Sequence, residues 1–259
     1  MCTGRVDLAF VIRALQKGAD GVVIAGCWPG ECHYVTEGNY DALANMYLGK
    51  KLLDYIGVDP RRLRLEWVSS SEGARFAELM NDFGAELRAL GPLDPGETAA
   101  DGDAAGAATD LQLNLDALQR LIPFVKLVER GKLRAPAKSE EAYRTFYESE
   151  EVDRLFHDLV GDKLLLSRLL LLLEHEGGLN ARELAARLGI SPAAVSRQIK
   201  GASRRGLIEY DFERKCYRVA PVPPPAEPLA TDPDAAGDAV AVAAGSTSTP
   251  STCESCGPA

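Results

Sequence analysis

Three thiols raise the first question of chemistry. Cys2, Cys27 and Cys32 lie close to the N-terminus, and the remaining cysteines of the 259-residue chain are Cys216, Cys253 and Cys256. Their spacing is too sparse and uneven for the disulfide framework of a small secreted fold. In a reducing compartment, clustered cysteines bind metal or do redox chemistry, because the thiolate is a soft ligand and a nucleophile. Cys27 and Cys32 form a Cys-x4-Cys pair, which is a weak pattern. Free cysteines are also common as small buried hydrophobes, and spacing alone leaves the two readings level.

The elements that must position these thiols alternate between helix and strand. Leu8, Val11, Ile12 and Leu15 keep the i, i+3, i+4, i+7 spacing of a helix with one buried stripe, and Gly18 lies where it would stop. Gly21-Val-Val-Ile-Ala-Gly26 is a short apolar run of the kind buried on both faces of a parallel sheet. The chain then turns within Cys27-Trp-Pro-Gly-Glu-Cys32. Leu43, Met46, Tyr47, Leu53 and Ile56 mark a second helix closing at Gly57, and Leu63, Leu65 and Trp67 alternate as a strand. Ser69 and Glu72 suggest a capping box before a helix carrying Phe76, Leu79, Met80, Phe83 and Leu87. This predicts a small parallel-sheet α/β module of the Rossmann or flavodoxin-like kind over residues 1–90. Ligands of such folds gather at the C-terminal ends of strands, where Cys27 and Cys32 fall. Cys2 joins them there if a strand ends just before it.

Composition bounds the rest. Residues 91–110 are rich in Pro, Gly, Ala and Asp and read as a flexible linker; residues 111–159 read as a helical connector leading into Pro123; residues 221–259 read as a disordered tail. The N-terminus lacks a secretory signal, so a cytoplasmic address is expected. The run Leu164–Leu173 is broken by Ser167 and Arg168 and is too short for membrane insertion. A formal net charge of -9 argues against general binding of nucleic acid or anionic membranes by the chain as a whole.

Residues 160–220 reverse that sign. A Leu-rich helix is followed by a helix from Ala181, the turn Gly189-Ile-Ser191, a helix from Pro192 and two short strands, the order of a winged helix-turn-helix domain. Between residues 180 and 219, Arg182, Arg187, Arg197, Lys200, Arg204, Arg205, Arg214, Lys215 and Arg218 outnumber Glu183, Glu209, Asp211 and Glu213. DNA docking of this kind would set Ser191, Ala193, Ser196 and Arg197 near base edges and Lys200, Arg204 and Arg214 near phosphates. The phrase Glu183-Leu-Ala-Ala-Arg-Leu-Gly-Ile-Ser-Pro-Ala-Ala-Val-Ser-Arg197 resembles winged-helix regulators of the ArsR or MarR kind. A winged helix used only for docking or dimerisation is the competing expectation.

A more specific resemblance covers residues 2–83. Cys2-Thr-Gly-Arg-Val, Gly18-Ala-Asp-Gly-Val-Val, Gly26-Cys-Trp-Pro-Gly-Glu-Cys-His-Tyr34, Gly38-Asn-Tyr40, Arg62-Leu-Arg-Leu-Glu-Trp67 and Ser71-Glu-Gly73 resemble, in order and separation, the delta (iron-sulfur) subunit family of methyl-viologen-reducing hydrogenase. The resemblance implies a [2Fe-2S] protein without catalysis of its own, its cluster held at Cys2, Cys27 and Cys32. It would pass electrons between a hydrogenase or formate dehydrogenase and a heterodisulfide reductase A-like flavoprotein. Family members usually begin with an earlier strand and helix bearing two more cysteines, so an upstream start is expected, or else an incomplete ligand set. His33 and the pair Cys253 and Cys256 are weaker substitutes. The rival function is a redox-sensing regulator whose cluster alters DNA affinity through the helical region. No nucleophile triad or phosphate-binding glycine loop points to an enzyme.

Overall fold

The computed structural model describes residues 2–93 and 104–221, without side chains at 104–110 and 130. The expected tail, the Cys253 and Cys256 pair within it, and residues 94–103 of the expected linker lie outside the described residues. The described residues up to Ala220 form one compact unit.

Asp7 opens the first helix, α1 (Leu8–Gln16), by accepting from Ala9 N at 2.9 Å, and the expected stripe of Leu8, Val11, Ile12 and Leu15 is buried. Strand β1 (Val22–Gly26) leads through the cysteine loop into α2 (Gly38–Tyr55), then β2 (Leu63–Trp67) and α3 (Gly73–Leu90). β1 and β2 pair in parallel from Val22↔Leu63 to Gly26↔Trp67, with α2 as the crossover.

Two expectations change here. The two expected strands form the sheet, but β1 is not buried on both faces: Ile24 is buried and Ala25 is exposed. With so little sheet to cover, α3 buries only Phe83. Phe83 and Leu87 lie over Gly21, whereas Phe76 and Met80 stay 47% and 41% exposed. Half of the expected capping box forms, because Ser69 N donates to Glu72 Oε2 at 2.7 Å, but Glu72 itself occupies the N-cap.

Helix α4 (Ala104–Lys132) starts inside the stretch expected as linker and continues through Pro123. An interior proline removes one backbone hydrogen bond and usually kinks a helix. Burial of Leu118, Leu121, Ile122 and Val125 around it offsets that cost. Gln16 donates to Asp116 at 2.6 Å, and Lys126 pairs with Asp7 at 3.0 Å, so α4 packs along α1.

A short helix, α5 (Glu140–Tyr147), precedes α6 (Glu150–Glu176), a single rod that crosses the expected boundary at residue 160. Its first half meets the N-terminal module. Lys51 pairs with Asp153, and the Tyr55 ring packs against Phe156 and His157. A side chain at Gly161 would run into the Tyr55 hydroxyl at 2.6 Å. Its second half, with Leu169 and Leu173 fully buried, is the core helix of the winged unit.

That unit follows the expected order: α7 (Ala181–Leu188), α8 (Pro192–Arg204), β3 (Ile208–Asp211) and β4 (Cys216–Val219). Asn180 and Glu183 form a complete capping box on α7, and Ser191 caps α8 ahead of Pro192. β3 and β4 pair antiparallel as the wing, and a bridge from Leu179 to Tyr217 ties the wing to the start of α7. The architecture is mixed α/β and mostly helical. No helix among the described residues is long and apolar enough to cross a membrane.

Candidate metal centre

Cys2, Cys27 and Cys32 line one open pocket of about 700 Å³ at the C-terminal ends of β1 and β2, bordered by Val68, Ser69, Ser70, Glu72, Gly73 and Phe76. β1 delivers Cys27 directly. Cys2 precedes a 3-10 turn, Thr3–Arg5, that lies against α2. The Thr3 hydroxyl donates to Ala25 O at 2.9 Å and fixes this turn to the end of β1.

The Cys2 and Cys32 sulfurs stand 3.6 Å apart. Two thiolates on one tetrahedral metal, each about 2.3 Å away, stand roughly 3.8 Å apart. The pair therefore already has the separation that a shared metal demands. Among the described residues, no group of three His, Cys, Asp or Glu side chains is arranged to hold a metal ion. The donor set thus fits in kind and in the spacing of one pair, with Cys27 and the exposed His33 lining the same pocket.

Burial pushes the Cys2 thiol above its ordinary pKa, and the Cys32 sulfur and Asp41 carboxylate reinforce this against the Gly4 amide. Such a thiol keeps its proton until a cation takes its place, since coordination requires the thiolate.

Several residues without an assigned role in the sequence hold this geometry. Gly38, the first residue of α2, lies against both sulfurs. A Cβ there would overlap Cys32 Sγ and come 2.7 Å from Cys2 Sγ, so only glycine admits the pair. Asn39, 4% exposed, donates from Nδ2 to Cys27 O at 2.7 Å. Trp28 Nε1 donates to Glu72 Oε2 at 2.8 Å, and the Arg75 guanidinium lies 4.7 Å over the indole. The Ser69 amide and the Trp28 indole hold the Glu72 carboxyl below its usual range. Gly38 and Asn39 sit in a quoted motif, but their function is a close approach that no spacing rule reveals.

The winged unit presents the other candidate residues differently. Ser191, Ala193, Ser196, Arg197, Lys200, Arg204 and Arg214 are all exposed. Ser191 Oγ accepts from Ala194 N, and Ser196 Oγ donates to Pro192 O at 2.8 Å, so both hydroxyls already serve the helix. Arg197 borders a cleft with Asp158 and Asp162 of α6, whereas Arg187 and Arg218 are committed to Glu176 and Glu209.

Comparison with known proteins matches residues 1–91 to the family described as methyl-viologen-reducing hydrogenase, delta subunit, and residues 167–214 to the MarR family. The D-type iron-sulfur subunit of an F420-non-reducing hydrogenase of Archaeoglobus profundus is 54% identical over 91 residues, 35% of this chain and 66% of that protein. A second such iron-sulfur subunit, from Methanopyrus kandleri, is 37% identical over 92 residues, 36% of this chain and 69% of its own length. The A-type subunit of a heterodisulfide reductase of Methanosarcina acetivorans is 48% identical over 93 residues, only 12% of that larger protein. The chain thus spans just under two thirds of the first of these relatives and a small part of the last. Through residues 1–91, which carry all three thiols of the pocket, the chain belongs to the methyl-viologen-reducing hydrogenase delta-subunit family.

Proposed function

We propose that the chain is a non-catalytic iron-sulfur subunit that relays electrons, with a [2Fe-2S] cluster held at Cys2, Cys27 and Cys32. The observation that carries this reading is the convergence of three thiols on one pocket, two of them 3.6 Å apart, within the segment that matches the delta subunits. A cluster bound there supplies one-electron redox chemistry. The protein's part is to present thiolates, exclude bulk at Gly38 and fix the loop through Asn39. A four-ligand set needs one donor beyond these cysteines, and His33 borders the same pocket. The partners in this reading are a hydrogenase or formate dehydrogenase on one side and a heterodisulfide reductase A-like flavoprotein on the other, and the compartment is the cytoplasm. Relatives named as subunits of both kinds of complex support it.

Anaerobic purification with iron and sulfide analysis and EPR spectroscopy tests the reading. The expected result is a reducible cluster that Cys2→Ser and Cys32→Ser each abolish; a chain that takes up no iron overturns it.

A second reading, a redox-sensing regulator, is favoured by the MarR-family match and by exposed Lys200, Arg204 and Arg214, none of which enters a salt bridge with a described residue. Here Ser191, Ala193, Ser196 and Arg197 would approach bases. It demands salt-dependent binding of duplex DNA that changes on reduction; binding indifferent to redox state leaves the electron carrier alone.

A further inference from the structure

The cysteine loop between β1 and α2 is irregular, and its hold on the rest of the pocket is concentrated in a few contacts. Asn39 secures the carbonyl of Cys27 from the α2 side. The opposite wall is secured by the residue after Cys27. Trp28 places its indole N–H on Glu72 at 2.8 Å, while the same carboxylate oxygen receives Ser69 N at 2.7 Å. Arg75 lies over the indole at 4.7 Å and donates from Nε to Trp67 O at 3.1 Å, which closes the arrangement onto the end of β2. One carboxylate thus joins the loop bearing Cys27 to the loop after β2, and Glu72 itself lines the pocket.

We infer that Glu72 is a positioning residue: it latches the Cys27 loop through Trp28 and sets a fixed negative charge beside the thiols. The geometry separates two effects. The latch needs only an acceptor for the indole N–H, which Gln at position 72 also offers. The charge needs the carboxylate, and it opposes the arrival of an electron in the pocket because reduction adds like charge. The effect on electron transfer rests on the iron-sulfur reading above; the latch does not.

The full chain, reduced and metal-free, is treated with N-ethylmaleimide, and alkylation of Cys27 is followed by mass spectrometry with Cys216 as the internal reference. Glu72→Ala and Trp28→Phe are expected to speed alkylation of Cys27 about tenfold, the size of one lost charge-assisted hydrogen bond. Glu72→Gln keeps an acceptor for the indole while dropping the charge, so its Cys27 rate is the reference above which Glu72→Ala is expected to rise, and Cys216 should not respond to any of the three. A Cys27 rate in Glu72→Ala no higher than in Glu72→Gln overturns the latch, as does an equal rise at Cys27 and Cys216, which marks general loosening. In iron-loaded protein, Glu72→Gln is expected to keep the iron content and shift the midpoint potential in the positive direction; no shift overturns the electrostatic role. Failure of the wild-type chain to load iron overturns the metal centre, and the alkylation result still decides the latch.

Discussion

The cysteine pocket and the winged unit solve opposite problems. The pocket sets three thiols on one lining, two of them in contact, with irregular backbone, a glycine pressed on two sulfurs and a two-stranded sheet. The winged unit places its candidate residues on the outside of the capped helix α8 and, for Arg214, in the turn between β3 and β4, above a closed core. Changes at the pocket therefore disturb fold and chemistry together, whereas changes on the outer face of α8 leave the fold alone. Helix α6 belongs to both regions, since it receives Tyr55 in its first half and packs against the winged elements further on.

Substitutions separate the two regions by experiment. The largest loss of stability is expected where a core serves the winged unit: Leu169→Ala should cost about 3 kcal/mol in chemical denaturation, because Leu169 is fully buried on α6. Gly38→Ala should cost about 2 kcal/mol through overpacking and, in the iron-sulfur reading, also abolish iron uptake, measured by metal analysis after anaerobic loading. A destabilised variant that keeps its iron would show that the close approach to the sulfurs is incidental. Asn180→Ala should cost about 1 kcal/mol by opening the capping box of α7 and leave iron content unchanged.

A pH effect comes next. The Arg120 hydrogen bond holds the Glu174 carboxyl below its usual value, against a smaller upward push from desolvation. The pair joins α4 to α6 at 2.5 Å. A depressed carboxyl stabilises the fold above its unfolded value and loses that contribution as pH falls through the folded value. Glu174→Gln should therefore flatten the acid side of the stability profile, by no more than about 1 kcal/mol for so exposed a pair. The smallest stability effect is expected at Lys200→Ala, within about 0.5 kcal/mol, yet it should lower the salt dependence of DNA binding by about one phosphate contact if the regulator reading holds. An unchanged salt slope would leave α8 a docking or purely structural helix.

Local pattern made most of the elements legible. The apolar stripe of α1, the turn Gly189-Ile-Ser191 and the cap at Ser191 depend on neighbours a few residues away, so their signals survive in the chain itself. The exposed candidates on α8 were legible for the same reason, since a helix with one buried stripe leaves its other face outward. Prediction weakened wherever distant segments decide. A proline such as Pro123 usually interrupts a helix, but packing against α1 and α6 carries α4 past it. Phe76 and Met80 continue a helical stripe, but a two-stranded sheet offers them no surface to cover.

The cysteine types and the membership of residues 1–91 in their family followed from the order of residues alone, because soft donors and short motifs are properties of the chain. That Cys2 and Cys32 meet over Gly38, and that Trp28 is latched by Glu72, was settled only by the fold. Both are contacts between residues far apart in sequence, the first made where the Thr3–Arg5 turn packs on the start of α2 and the second where the loops after β1 and β2 meet, and no local periodicity encodes which side chains will face each other there.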